Sequence, residues 1–125
     1  MTAENVKKIL ICDDEEGIRE ALKLILGDDY PVILADSGAQ CLDCLKNDPT
    51  IALALLDIKM PKRNGMDTLK EIKHQFPKVK IIMVTGYRSV ETASECARLG
   101  AVGYIVKPFD SQDIKDDVKR ILNNL

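Results

Sequence analysis

The stretch IALALLD, residues 51–57, decides the fold. Six consecutive apolar residues form a run that suits a strand covered on both faces, the usual state of a strand in a parallel sheet. The run stops at a carboxylate, Asp57. A charge at the mouth of a buried strand calls for a chemical reason.

On either side of this run the same unit recurs. VKKILIC (residues 6–12) reads as a first strand, and Ile18, Ala21, Leu22 and Ile25 then mark the stripe of a helix that Gly27 ends. YPVILA (30–35) is a second strand, and SGAQ (37–40) fits a capping box with Ser37 as N-cap and Gln40 reaching back. The helix it opens runs to about Asp48, before Pro49. After the 51–56 strand, Asn64-Gly65 opens a third helix carrying Met66, Leu69, Lys73 and Phe76 on one side, with Ile72 beside them. VKIIMV (79–84) is the fourth strand, and a helix with a small-residue face of Ala93 and Ala97 follows, closed by Gly100. VGYIV (102–106) is the fifth strand, and Ile114, Val118, Ile121, Leu122 and Leu125 form the stripe of the last helix.

Five β-α units in succession predict an α/β fold: a three-layer, doubly wound (βα)5 domain with a parallel five-stranded sheet. The flavodoxin-like strand order 2-1-3-4-5 is a common solution, with ligands bound at the carboxyl ends of strands one and three. The 125 residues leave no linker or low-complexity stretch, so residues 1–125 read as one domain. A net charge of −2 gives no reason to expect direct contact with nucleic acid or an anionic membrane. No apolar run approaches the roughly 18 residues of a membrane span. MTAENVKK lacks the apolar core of a signal peptide, so a cytoplasmic location is expected. Cys12, Cys41, Cys44 and Cys96 read as small buried thiols; the C-x-x-C of Cys41 and Cys44 falls inside a helix, and the one histidine, His74, lies elsewhere on a polar helix face.

The strand ends carry the chemistry. Strand one ends in Asp13 and Asp14, strand three in Asp57, strand four in Thr85, and strand five in Lys107 followed by Pro108. With strands one and three adjacent, three carboxylates converge, which is costly unless a cation sits among them. All-oxygen ligands suit Mg²⁺ (or Mn²⁺), an ion that retains water and shares phosphate oxygens. A hydroxyl on Thr85 and an ammonium on Lys107 are the donors a phosphoryl group needs. Asp57, alone at the end of the central strand, is the natural nucleophile for an acyl phosphate, while Asp13 and Asp14 are placed to hold metal. Taken alone, Asp13, Asp14 and Glu15 could simply favour the start of the first helix.

The blocks ICDDEEGIREAL, LALLDIKMPKRNGMD, VTGY and LGAVGYIVKPF, in this order and spacing, resemble the signature of two-component response-regulator receiver domains across essentially the whole chain. The resemblance implies a phosphorylation-activated signalling switch, not a conventional enzyme: Asp57 accepts a phosphoryl group from a sensor histidine kinase or phosphotransfer protein, and the domain slowly dephosphorylates itself. It further implies that the Lys59 backbone carbonyl joins Asp13, Asp14 and Asp57 around Mg²⁺, with Glu15 within reach through water. Thr85 and Lys107 bind the phosphoryl oxygens, and Tyr104 is the aromatic whose position tracks Thr85. The Lys107–Pro108 bond is implied to be cis. The implied partners are a phosphatase, an output domain or protein at the face of the fourth helix, fifth strand and fifth helix, and a second phosphorylated copy forming a homodimer. Lys59 and Tyr87 flank the path of an attacking water, and neither suits orienting one, so a long phosphoryl lifetime is expected.

Two other functions are weighed against this. A Mg²⁺-dependent phosphatase with an aspartate nucleophile shares the sheet and the metal, but would want a second aspartate two positions after the nucleophile, where Lys59 stands. A flavin module would want a Gly/Ser/Thr-rich phosphate loop after strand one, where DDEEG repels an anion.

Overall fold

The structure, a computed structural model, describes residues 7–60 and 64–125. Val6, at the head of the expected first strand, and residues 61–63 in the loop before the third helix lie outside the described residues. The elements alternate without exception: β1 Lys8–Cys12, α1 Glu16–Leu26, β2 Val32–Ala35, α2 Gly38–Asn47, β3 Ile51–Leu56, α3 Gly65–Gln75, β4 Lys80–Thr85, α4 Val90–Arg98, β5 Gly103–Val106 and α5 Ser111–Asn123. All strand pairs are parallel and the order is β2-β1-β3-β4-β5, as the alternation predicts.

Side-chain alternation divides the core into two layers. Leu10, Cys12, Ala54, Leu56, Ile81 and Met83 face one way and pack with Cys41 and Leu45 of α2, Leu69 and Ile72 of α3 and Cys96 of α4. Ile9, Ile11, Leu53, Leu55, Ile82 and Val84 face the other way, against Leu22 and Leu26 of α1 and Ile114 and Val118 of α5. The uninterrupted apolar run of β3 is thereby explained: both of its faces are covered. Among the described residues no helix is long and apolar enough to cross a membrane.

The caps follow the side chains. Ser37 accepts from the Gln40 N–H at 3.2 Å, Asn64 from the Met66 N–H at 2.7 Å, and Asp110 from the Gln112 N–H at 2.7 Å. Gln40 does reach back, but one residue further than a capping box places it: its Oε1 accepts from the Asp36 N–H at 2.6 Å. Gly100, at φ 111°, closes α4; its N–H donates to Ala97 and that of Ala101 to Cys96, which satisfies two terminal carbonyls.

Several expectations need correction. Tyr30 belongs to the turn after α1, donating its N–H to Leu26, so β2 begins only at Val32. The fourth strand runs one residue later than expected, and the fifth begins at Gly103, whose Cα is the first to pair with β4; Val102 before it is exposed. The buried residue of α4 is Cys96, while Ala97 is exposed; two small residues at i and i+4 did not reveal which side of the helix meets the sheet. Leu125 lies past the end of α5 and is 56% exposed. All four cysteines are free; Cys12, Cys41 and Cys96 are buried and Cys44 half-buried, and His74 is exposed.

Candidate functional site

Strand register builds the site. Cys12 pairs with Leu56 and Leu56 with Met83, so the residues after β1 and β3 emerge at one level. The Asp57 N–H donates to the Cys12 carbonyl at 3.1 Å, and the Asp13 N–H to the Ala35 carbonyl at 3.1 Å, fixing both aspartates by backbone bonds. On the other side Thr85 pairs with Val106, and the Lys107 N–H donates to the Thr85 carbonyl at 2.8 Å. Four residues distant in sequence thus share one rim.

Their side chains meet. The Lys107 ammonium lies 2.8 Å from Asp13 Oδ2, 3.0 Å from Asp57 Oδ2 and 3.4 Å from Glu15 Oε1. Asp13 and Asp57 are only 2% and 3% exposed, so their charges are poorly screened. Asp13, Asp14, Glu15 and Asp57 each bring a carboxylate oxygen within 4.8 Å of the others. Among the described residues, one ammonium set against four carboxylates makes a negative cluster, and every donor is a hard oxygen. That set fits a small divalent cation such as Mg²⁺ and offers nothing to a soft one.

The electrostatics follow from this crowding. Burial pushes the Asp13 carboxyl above the usual aspartate range, opposed by Lys107 and by the Glu15 N–H and reinforced by Asp57. Burial disfavours the Lys107 ammonium, but its bonds to Asp13 and Asp57 outweigh this and hold its pKa above the ordinary lysine value. Lys107 therefore stays charged at neutral pH.

The helix-cap reading of the acidic run is met only in part. Asp13 Oδ1 accepts from the Glu15 N–H at 3.0 Å, but Glu15, the N-cap residue of α1, makes no side-chain cap bond. Its carboxylate instead faces Lys107.

The remaining residues line the approach. Glu15, Asp57, Lys59, Thr85, Gly86, Tyr87 and Lys107 surround an open crevice of about 310 Å³. Thr85 is fully buried and its hydroxyl accepts from the Tyr87 N–H at 3.4 Å. Lys59 is exposed, and its N–H donates to Asp57 Oδ1 at 3.3 Å. Tyr104, half-buried against the layer that holds Cys96, donates its hydroxyl to the Tyr87 carbonyl at 2.7 Å. The Lys107–Pro108 bond is cis. Sequence reasoning missed two residues: Arg19, which donates to the Asp13 carbonyl at 2.9 Å, and Arg88, which donates to the Lys107 carbonyl at 3.1 Å. Arg19 turns back from α1 to the end of β1 and Arg88 reaches from the loop after β4 to the end of β5; no local pattern distinguishes such an arginine from one on a solvated face.

Comparison with known proteins gives a consistent answer. Residues 9–119 match the family described as response regulator receiver domain. The chain is 34% identical over 122 residues to the transcriptional regulatory protein ZraR of Escherichia coli K12, covering 98% of this chain and 27% of that protein. It spans about a quarter of the length of the first such curated relatives. It is 37% identical over 118 residues to sporulation initiation phosphotransferase F of Bacillus subtilis, covering 93% of this chain and 94% of that protein. Among solved structures it is similar to a CheY-like receiver domain protein of Methanospirillum hungatei, with a TM-score of 0.89 and 36% identity over 95% of both chains.

Proposed function

The chain belongs to the response regulator receiver domain family, and on that footing we propose that it is a phosphorylation-activated switch whose phosphoacceptor is Asp57. The observation that carries this reading is the ion pair of a buried carboxylate, Asp57, with Lys107 at 3.0 Å on the rim of an acidic, open crevice.

An Asp57 carboxylate oxygen attacks phosphorus, the bond from phosphorus to the donor's histidine nitrogen breaks, and an acyl phosphate forms. Asp13, Asp14 and Asp57, with the Lys59 carbonyl, would hold Mg²⁺. The ion, when bound, offsets the charge gathered on the phosphoryl oxygens. Lys107 exchanges its contact with Asp57 Oδ2 for a phosphoryl oxygen, and the Thr85 hydroxyl turns from the Tyr87 N–H to donate to another. Because Tyr87 is also bound by Tyr104, a shift at Thr85 is felt on β5. The face of α4, β5 and α5 is accordingly where an output domain or partner reads the state, and a phosphorylated second copy would meet it there. The donor is a sensor histidine kinase or phosphotransfer protein. A phosphatase mechanism is disfavoured because Lys59 occupies the position of the required acid.

Incubation with acetyl phosphate and Mg²⁺, read by intact mass, is the test. The parent is expected to gain one hydroxylamine-sensitive phosphoryl group and Asp57→Asn none. Equal labelling of the variant would overturn the assignment.

A further inference from the structure

Lys107 is fixed at its backbone as well as at its ammonium. Its N–H donates to Thr85, but its carbonyl, one residue past β5 and followed by Pro108, has left the sheet ladder. The Arg88 guanidinium donates to that carbonyl at 3.1 Å. Arg88 stands three residues after Thr85, in the loop joining β4 to α4. Residues 86–89 of this loop are all exposed, and a Cβ added at Gly86 would touch nothing. Two side-chain bonds tie the loop to β5 and its end: the Tyr104 hydroxyl to the Tyr87 carbonyl, and Arg88 to Lys107.

We propose that Arg88 is a positioning residue for phosphoryl binding: by holding the Lys107 carbonyl it braces the loop after Thr85 to the residue that supplies the ammonium, so that the two phosphoryl donors are aligned as a pair. The proposal rests on Asp57 being the phosphoacceptor. Its physical basis is preorganisation. Donors already held in place need not be ordered when the anion arrives, and a bond from a charged donor is stronger than one between neutral groups. Arg88 bonds the Lys107 carbonyl, so its effect on the phosphoryl group runs through Lys107.

The test uses the phosphoryl mimic beryllofluoride with Mg²⁺, followed by amide NMR. Arg88→Ala is expected to bind beryllofluoride about fivefold more weakly than the parent, with faster amide exchange over residues 86–90. Its Mg²⁺ affinity without beryllofluoride should stay within about twofold, since Arg88 touches none of the carboxylates. The deficit should persist at about 0.5 M salt, where a mere loss of positive charge would be screened. Beryllofluoride affinity equal to the parent, or a deficit that vanishes at high salt, overturns the positioning role while leaving Asp57 in place. A parent that binds no beryllofluoride overturns the phosphoacceptor reading itself, and this inference with it.

Discussion

The Tyr104 hydroxyl donates to the Tyr87 backbone carbonyl at 2.7 Å, joining β5 to the loop that follows Thr85. Burial, with Cys96 and Asp57 nearby, pushes the Tyr104 phenol up, so it is a protonated donor at neutral pH. Tyr104→Phe keeps the ring and deletes this one bond, at a cost of about 1 kcal/mol. Phosphorylation by acetyl phosphate should change little, but the beryllofluoride-induced change in amide exchange over α4, β5 and α5 should shrink. A full-sized response in the variant, or changes confined to α2 and α3, would contradict the coupling.

Metal binding should depend on Asp14, which is exposed but shares the carboxylate cluster. Asp14→Ala should weaken Mg²⁺ binding measured by calorimetry, and chelation should stop phosphorylation of the parent. Mg²⁺ at about ten times its Kd should stabilise the parent by about 1.4 kcal/mol, through binding to the folded state alone. Phosphorylation at an unchanged rate without divalent ions would defeat this account.

The phosphoryl lifetime should respond to the two residues that flank the crevice. Lys59 and Tyr87 both line it, and Tyr87 is 47% exposed. Lys59→Asn with Tyr87→Ala replaces a cation by an amide able to orient water and removes a ring that shields the approach. The double variant should lose its phosphoryl group faster, with Mg²⁺ affinity little changed. Decay at the parental rate would end the shielding argument without touching the assignment of Asp57.

Gly65→Ala should be damaging. The Gly65 N–H donates to the Ile58 carbonyl at 2.7 Å, and a Cβ there would press on the Asp57 carbonyl and come within 2.7 Å of Ile58 Cα. Backbone against backbone cannot yield as a flexible side chain does, so α3 must retreat from the loop that follows Asp57. A loss of about 2 kcal/mol or more in denaturant unfolding is expected, together with slower phosphorylation. Parental stability would show that the loop relaxes freely.

Acid stability should expose Asp48, at the opposite end of the sheet. Lys8 lies 2.8 Å from its carboxylate, and the Thr50 N–H and hydroxyl donate to it, holding the carboxyl at about 2. Because the folded value is depressed, the stabilisation is present above the unfolded value near 4 and disappears as pH falls from there through about 2. Asp48→Asn should cost about 1 kcal/mol at neutral pH, and the gap in Tm between parent and variant should close between those values. A gap that is the same at pH 2 and pH 7 would rule the ion pair out.

The amino-acid pattern alone was enough for the number of strands, their parallel arrangement and the polar residues at their carboxyl ends, though their bounds shifted by one or two residues. Those features are local: hydrophobic period, cap residues, and a polar side chain immediately after an apolar run. The gathering of Asp13, Asp57, Thr85 and Lys107 was legible for that reason, because a parallel sheet delivers every strand end to the same rim. Tertiary structure alone decided what depends on the angle and depth at which helices meet the sheet. It turned Cys96 inward and Ala97 outward on α4, and aimed the carboxylate of Glu15, the N-cap residue of α1, at Lys107. It also sent Arg19 and Arg88 to backbone oxygens of Asp13 and Lys107. A long polar side chain looks the same in sequence whether it ends in water or on a carbonyl; only the packed fold places that carbonyl within its reach.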